Sequence, residues 1–446
     1  MRILLILPAG ENVRVTSARP EVPKRAMLRF SVLSLTVVAA LTPRRHEVRI
    51  VDENVEPIDF ASDVDLVGIT FMTALAPRAY EIASRFRARG IFVVGGGFHP
   101  TLCSAEAVEH LDAVVVGDAE GAWERLLQDV EAGQARKVYA GETCPQREMR
   151  TPVPRRDLLA PTAKYYVTIN AVQTGRGCQH ACRYCSVTAF HQQQYRQRPV
   201  AEVIAELRGV PRDFIFVDDN IVRSPEYARE LFREMLPLRK HWVGQCSIEI
   251  ADDAELLQLA HTAGCRGLFI GIETVNQDNL ASVGKQFNDS DRYGVRLRRI
   301  RRQGIGVVAG MIVGLDKDEP GIFESCLGFL QRQRIDALQL NILTPLPGTP
   351  LFQDLQCTGR ITDRRWDLYD FRHVVFQPRR MTAVQLQEGS DWLYSQFYRA
   401  DRILVRFVRT LYTCGWIPAL FGLKLNLTYR YDNRREGIHG RNPAGD

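Results

Sequence analysis

The densest group of reactive side chains lies in the stretch Thr174-Gly-Arg-Gly-Cys-Gln-His-Ala-Cys-Arg-Tyr-Cys-Ser186, which sets Cys178, Cys182 and Cys185 at C-x3-C-x2-C spacing. Gly175 and Gly177 precede the thiols. Residues without a Cβ let a backbone bend tightly around something bulky. The other seven cysteines (Cys103, Cys144, Cys246, Cys265, Cys326, Cys357, Cys414) sit singly and read as small buried hydrophobes. A lone bunched trio points to metal rather than to a disulfide framework. Three is the informative number, because a closed zinc site or a ferredoxin-type cluster takes four protein ligands. A three-cysteine loop leaves one metal position for a ligand the protein does not supply. His180 lies inside the loop as a fourth candidate, but it faces away if the cysteines converge.

This spacing, with Tyr184 directly before the last cysteine, resembles the signature of the radical S-adenosylmethionine (SAM) enzymes. The resemblance implies that the three thiolates hold a [4Fe-4S] cluster. It implies further that SAM chelates the fourth iron and is cleaved to a 5'-deoxyadenosyl radical, with Tyr184 beside SAM.

The elements that must position this loop follow a β/α rhythm. After the Pro-rich stretch Thr151–Arg156, six apolar runs recur: Val167–Thr174, Phe214–Asn220, Trp242–Ile250, Leu268–Thr274, Val307–Gly314 and Leu338–Thr344. Helical patterns fill the gaps, which predicts a partial (β/α)6 barrel. Barrel sites form at the carboxyl ends of the strands, and every run ends in polar or glycine residues. By resemblance, Asp218, Asp219 and Asn220 stand where the family binds the SAM amino group. Ser247 and Glu249 match the ribose-contacting strand, and Gly271, Glu273 and Thr274 the strand near adenine and the SAM carboxylate. Lys285 and Arg302 are cationic candidates for that carboxylate, set against the plainer reading of solvated helix faces.

Upstream, the runs Arg2–Pro8, Glu47–Asn54, Asp65–Phe71, Ile91–Gly97 and Ala113–Ala119 alternate with amphipathic segments. They predict a five-stranded parallel α/β sheet, Rossmann-like or flavodoxin-like, with its ligand beyond the strand ends. No G-x-G-x-x-G opens a helix after the first strand, which disfavours a dinucleotide. With the cysteine trio downstream, "DLVGIT", "VVGGGFHPT" and "VVVGDAEGAW" resemble the loops of the cobalamin-binding domain of class B radical SAM enzymes. The resemblance places Thr70, Phe71, Met72 and Thr73, with Gly95, Gly96, Gly97 and His99, around the nucleotide tail. Gly117, Asp118 and Glu120 fall near the corrin ring. The Asp-x-His-x-x-Gly of other corrinoid proteins is missing, so cobalamin is expected base-off without a histidine below it. His99 is an alternative axial ligand, against a bond to the tail or a role in loop structure. Gly10–Lys24 reads as a loop able to cover a ligand, and Met27–Leu41 as a helix.

The divisions expected are a cobalamin-binding domain at 1–145, a linker at 146–166, the barrel at 167–355 and a mainly helical C-terminal region at 356–446. Phe407, Tyr412 and Trp416 in that region read as core, and the region as a cover for the barrel mouth. Ile417–Leu423 is apolar enough to touch a membrane or lipid-like substrate. At 446 residues, with 45% hydrophobic and 25% charged residues, the chain suits two or three globular domains. A net charge of +6 from scattered arginines speaks against nucleic acid as a partner. Met1–Pro8 is too short for a signal peptide, and no apolar run reaches eighteen residues, so a cytoplasmic protein without a transmembrane segment is expected. The resemblance implies a methyltransferase that uses SAM twice, forming methylcobalamin with one molecule. The radical from the second opens an unactivated carbon of a small natural-product or lipid-like substrate, with electrons from a flavodoxin or ferredoxin type donor. The alternatives are a cyclase or rearrangement enzyme with the same cofactors, and a corrinoid or metal carrier.

Overall fold

The computed structural model describes residues 1–10, 32–141, 149–178 and 180–435. The first sheet contains β1 (Arg2–Leu7), β2 (Glu47–Asp52), β3 (Leu66–Thr70), β4 (Phe92–Gly96), β5 (Ala113–Val116) and β6 (Val138–Ala140). All pairs are parallel, in the order β2-β1-β3-β4-β5-β6. This is the flavodoxin-like order with one strand added at the edge. The sixth strand was not expected, because three residues are too few to show a pattern. Along β1, Leu4 and Ile6 enter one core with Ile69 and Phe86, while Ile3 and Leu5 enter the other with Trp123 and Leu126. Burial on both faces is why the strand reads as a continuous apolar run. The covering helices are α1 (Leu33–Leu41), α2 (Ala76–Arg87), α3 (Phe98–Leu102), α4 (Ser104–His110) and α5 (Ala122–Glu131). The expected covering loop falls almost wholly outside the described residues, as does the start of the expected helix at 27–31. Its remainder is α1.

The Pro-rich connection is no free tether. The Arg155 amide donates to the Thr36 carbonyl at 3.0 Å, Leu159 enters the core beside Trp123, and the Tyr166 hydroxyl donates to Asp52 at 2.9 Å.

The second sheet begins with β7 (Ala171–Val172). Then come a short antiparallel ribbon, β8 (Gly175–Arg176) with β9 (Arg196–Gln197), and the strands β10 (Asp213–Phe216), β11 (His241–Cys246), β12 (Cys265–Glu273), β13 (Gly306–Val313) and β14 (Ala337–Ile342). The six main strands run parallel in the order β14-β13-β12-β11-β10-β7, and no ladder joins β14 to β7. This is the open (β/α)6 arrangement. Its first strand keeps only two residues of the run Val167–Thr174, because the chain turns there into the cysteine loop. Helices α6 (Ser186–Phe190), α7 (Val200–Gly209), α8 (Pro225–Met235), α9 (Ala254–Thr262), α10 (Gln277–Ser282), α11 (Tyr293–Arg302), α12 (Ile322–Arg332) and α13 (Pro350–Cys357) follow the strands. In α8 the side chains Tyr227, Leu231, Phe232 and Met235 form a buried stripe at helical spacing. Asp253 caps α9 by accepting from the Leu256 amide at 2.9 Å.

The C-terminal region lies at both ends of the barrel: Arg360 and Arg379 pair with Asp316 beyond the carboxyl end of β13, as a cover over the mouth would, and the last helices do not. Within residues 358–381 the Trp366 indole meets the first domain, donating to Glu106 at 3.0 Å, while the Phe371 carbonyl accepts from the Ile342 amide at 2.8 Å at the end of β14. Helices α14 (Ala383–Phe397), α15 (Ala400–Cys414) and α16 (Trp416–Arg435) pack on the barrel instead. Asn426 of α16 donates to the Asp336 carbonyl at 2.8 Å, just before β14 begins, so α16 lies at the opposite end from the cysteines. Tyr412 and Trp416 are 85% and 66% exposed, and Phe407 is half-buried, so these aromatics are not core. Among the single cysteines, Cys246, Cys265 and Cys326 are buried, but Cys357 is exposed and Cys103 and Cys414 are half-buried. Cys144 lies outside the described residues. No helix among the described residues is long and apolar enough to cross a membrane.

Candidate functional site: a cysteine loop and an interdomain cavity

The turn after β10 anchors the cysteine loop. Asp218 Oδ1 accepts from the Thr174 amide at 2.9 Å, the Thr174 hydroxyl at 2.7 Å and the Gly175 amide at 2.6 Å. Asp219 accepts from the Gly177 amide at 3.1 Å. Gly177 has φ +84°, where a side chain would be strained. Burial pushes the carboxyl of Asp218 up to about 7 and that of Asp219 up to about 6. The second oxygen of Asp218 is buried without a partner among the described residues, which leaves an acceptor for a ligand.

Burial also raises the thiols of Cys178 and Cys182, Cys182 to about 12, with the charges of neighbouring cysteines adding to it; Lys285 works the other way on Cys182. The three thiols therefore sense one another, yet among the described residues no three donors close on a single-ion site. Three thiols are the donor set of an iron–sulfur cluster that leaves one iron for an outside ligand. His180 stacks on Phe287 with ring centres 3.8 Å apart, and burial with Arg223 and Lys285 nearby pulls its pKa down to about 4. Its ring belongs to that stack.

At the end of β12, Gly271 carries a buried ion pair between Glu273 and Lys285. A Cβ on Gly271 would come within 2.7 Å of Lys285 Nζ. Glu273 has φ +66°, an uncommon conformation for a residue with a side chain. Tyr184, driven well up by burial, hydrogen-bonds to Glu273 and so ties the cysteine loop to β12. Asn288 donates to the Gly271 carbonyl at 3.0 Å. Lys285 is thus already paired, and Arg302 is exposed in the last turn of α11, so neither stands as a free cation over the site. Asn220 Oδ1 accepts from the Ser247 amide at 3.1 Å, which couples the ends of β10 and β11. Thr274 is buried and accepts from the Asn276 amide at 3.2 Å, while Glu249 is exposed.

Between the domains lies a cavity of 460 Å³, reached by Thr70, Phe71 and Met72, by Gly95, Gly96 and Gly97, and by Gly117, Asp118 and Glu120. Parallel pairing of β3 with β4 sets Thr70 opposite Gly96, which aligns the first two loops. A Cβ on Gly117 would meet nothing within 4 Å, and one on Gly96 nothing nearer than 3.9 Å. These glycines leave open a cradle that side chains would fill, as a broad flat group requires. The residues fit cobalamin there. The barrel side of the wall comes from Gln173, Arg176, Phe190 and His191, which the sequence did not single out.

Two expected cobalamin residues stand elsewhere. His99 is fully buried behind the loop, its ring 3.3 Å from the Thr73 hydroxyl, 3.1 Å from the Tyr80 hydroxyl and 3.4 Å from Glu106. Neither His99 nor Thr73 lines the cavity. Both brace the loop against Trp366, and the axial-ligand alternative has no geometry to support it. Asp118 and Glu120 do line the cavity, but Arg176 reaches across from the barrel to both, at 3.2 and 2.9 Å, and Arg196 also pairs with Asp118. Burial alone would raise Asp118, and the two arginines outweigh it and hold it below its usual range.

A B12-binding domain model matches residues 28–127, and a radical SAM superfamily model matches residues 172–330. The chain is 31% identical, over 84% of its own length and 84% of the relative, to bacteriochlorophyllide d C-12(1)-methyltransferase of Chlorobaculum tepidum. The chain belongs to the cobalamin-binding radical SAM methyltransferases. As a radical SAM enzyme of this kind it uses a [4Fe-4S] cluster, SAM and cobalamin. It is also similar to the hopanoid C-2 methylase of Rhodopseudomonas palustris, 29% identical over 76% of this chain and 67% of that one. The fold matches the radical SAM methyltransferase TsrM from Kitasatospora setae with a TM-score of 0.64 and 20% identity, covering 80% of this chain and 77% of that one.

Proposed function

We propose that this radical SAM enzyme transfers a methyl group to an unactivated carbon of a small, largely apolar molecule. The observation that carries this reading is a shared wall. Val217 and Asp219 line both the interdomain cavity and a second cavity inside the barrel, and Asp219 also holds the cysteine loop through Gly177. Three groups bound at these places would meet at one point.

When bound, the cluster and SAM supply a radical able to remove a hydrogen atom, and cobalamin supplies the methyl group. The protein's own part is placement and dryness. Cys178, Cys182 and Cys185 would hold the iron, in a loop fixed by Asp218 and Asp219. The unpartnered oxygen of Asp218 suits the ammonium of SAM, and Asn220, Ser247, Gly271 and the Glu273–Lys285 pair would frame the rest. Thr70 to Met72, Gly95 to Gly97 and Gly117 would line the corrin, with Asp118 and Glu120 spent on closing the domains through Arg176. Phe71, Trp123 and Phe190 keep the cavity apolar. An electron donor of flavodoxin or ferredoxin type would supply the reductant.

The experiment is anoxic turnover with an apolar candidate substrate, a tetrapyrrole or triterpenoid of the kind named for the relatives. Methyl transfer predicts S-adenosylhomocysteine and 5'-deoxyadenosine in equal amounts with methylated product. 5'-Deoxyadenosine alone, with an unmethylated product, would overturn the reading.

A further inference from the structure

Beneath the site the barrel is hollow. The interior of a β/α barrel is ordinarily filled by layers of branched side chains. Here Gly267 and Gly306 stand in register on β12 and β13 near the amino-terminal end, with Ala337 at the start of β14. The space left is a cavity of 330 Å³ that extends from Val217 and Asp219 down to α16. Its walls are apolar, including Ile215, Val243, Phe269 and Val308, and its floor is Pro418, Phe421 and Leu425 of α16. A Cβ on Gly306 would sit 3.5 Å from its nearest neighbours, so a methyl group would fit, yet the position is bare.

Two charged groups reach this cavity below Asp218 and Asp219. Asp336 is fully engaged: one oxygen accepts from Arg301 at 2.5 Å and the Val307 amide at 2.9 Å, the other from the Thr410 hydroxyl at 2.5 Å. Arg266 is different. Its Nη1 donates to the carbonyls of His261 at 3.1 Å and Cys265 at 2.9 Å, and no carboxylate among the described residues pairs with it. Its charged neighbour is another cation, Arg212, and burial works against its charge. A half-buried guanidinium with no carboxylate beside it is a receptor for a carboxylate, which it binds through two parallel hydrogen bonds.

We propose that the barrel lumen holds the apolar body of an elongated molecule whose carboxylate docks on Arg266 at the floor. The opposite end then reaches Asp219 and the interdomain cavity. That this molecule is the methyl acceptor rests on the function proposed above; the anion-selective lumen itself does not.

The test titrates full-length protein, reconstituted anoxically with iron, sulfide and cobalamin, with decanoate, decanol and decylamine by calorimetry. Decanoate should bind at least about tenfold more tightly than either analogue, as a charge-assisted pair with an otherwise unpaired guanidinium demands. Arg266→Gln should erase that preference, Arg266→Lys should keep most of it, and Arg266→Glu should transfer it to decylamine. Equal binding of decanoate and decanol by the native protein, or an Arg266→Gln protein that still prefers decanoate, overturns the proposal. Retained cobalamin absorbance shows that each variant is folded. Should Arg266→Gln fail that check, the native selectivity and Arg266→Lys decide. Failure of methyl transfer would be read separately, as absent S-adenosylhomocysteine alongside intact decanoate selectivity.

Discussion

A thiol in apolar surroundings gives up its proton reluctantly, and Cys182 is held at about 12 by burial. Only a ligand with strong positive charge can keep such a sulfur as thiolate, which is what iron supplies. Cys182→Ala should therefore abolish the visible absorbance of the reconstituted cluster. Cobalamin should still bind, because Cys182 is not in the interdomain wall. Asp218 supports a second prediction. All its donors converge on one oxygen, so a proton can sit on the other, and burial raises the group to about 7. An unfolded aspartate titrates near about 4. Between those values the native state holds a proton that the unfolded state has lost, so this group's contribution to stability falls as pH rises from about 4 to about 7 and is level above that. Thermal melts of cofactor-free protein should show that fall, and Asp218→Asn should flatten it relative to the native chain. Parallel pH profiles for the two proteins would contradict the assignment.

Among the elements, the short ribbon of β8 and β9 has a larger part than its length suggests. It carries Arg176 and Arg196, which grip the β5 loop of the other domain at Asp118 and Glu120. Replacing Arg176 by Leu would leave Glu120 without its cation and Asp118 with Arg196 alone, a loss on the order of 1.5–3 kcal/mol for charged hydrogen bonds. The expected outcome is a lower melting temperature and weaker cobalamin retention on gel filtration, with the cluster absorbance still formed. The sequence displayed what is local: the cysteine spacing, the β/α alternation, and the polar ends of the strands. It did not display what depends on distant chain segments. Arg176 stood in plain view within Gly-Arg-Gly, but nothing nearby says that its partners lie 56 and 58 residues upstream. His99 sat in a ligand-facing loop by pattern and turned out to brace that loop, because Tyr80, Glu106 and Trp366 converge on it from other elements. The C-terminal helices carry ordinary amphipathic patterns, which cannot say which end of a barrel they cover.

For the whole molecule, two parallel sheets present their carboxyl ends to a common space, as each fold alone would require of its own ligand. The domains are pinned on one side by the Arg176 cluster and on another by Trp366 against Glu106. Trp366→Ala should thus loosen the domains without touching either cavity wall, detectable as faster amide exchange in the His99 loop. The central claim is that one chain holds an iron–sulfur cluster and cobalamin together, the cluster on the cysteine loop and cobalamin in the interdomain cavity. The direct measurement is elemental analysis of anoxically reconstituted, desalted protein for iron, cobalt and zinc. The account predicts about four irons and one cobalt per chain at the same time. Zinc in place of iron, or cobalt that leaves as iron enters, would contradict it.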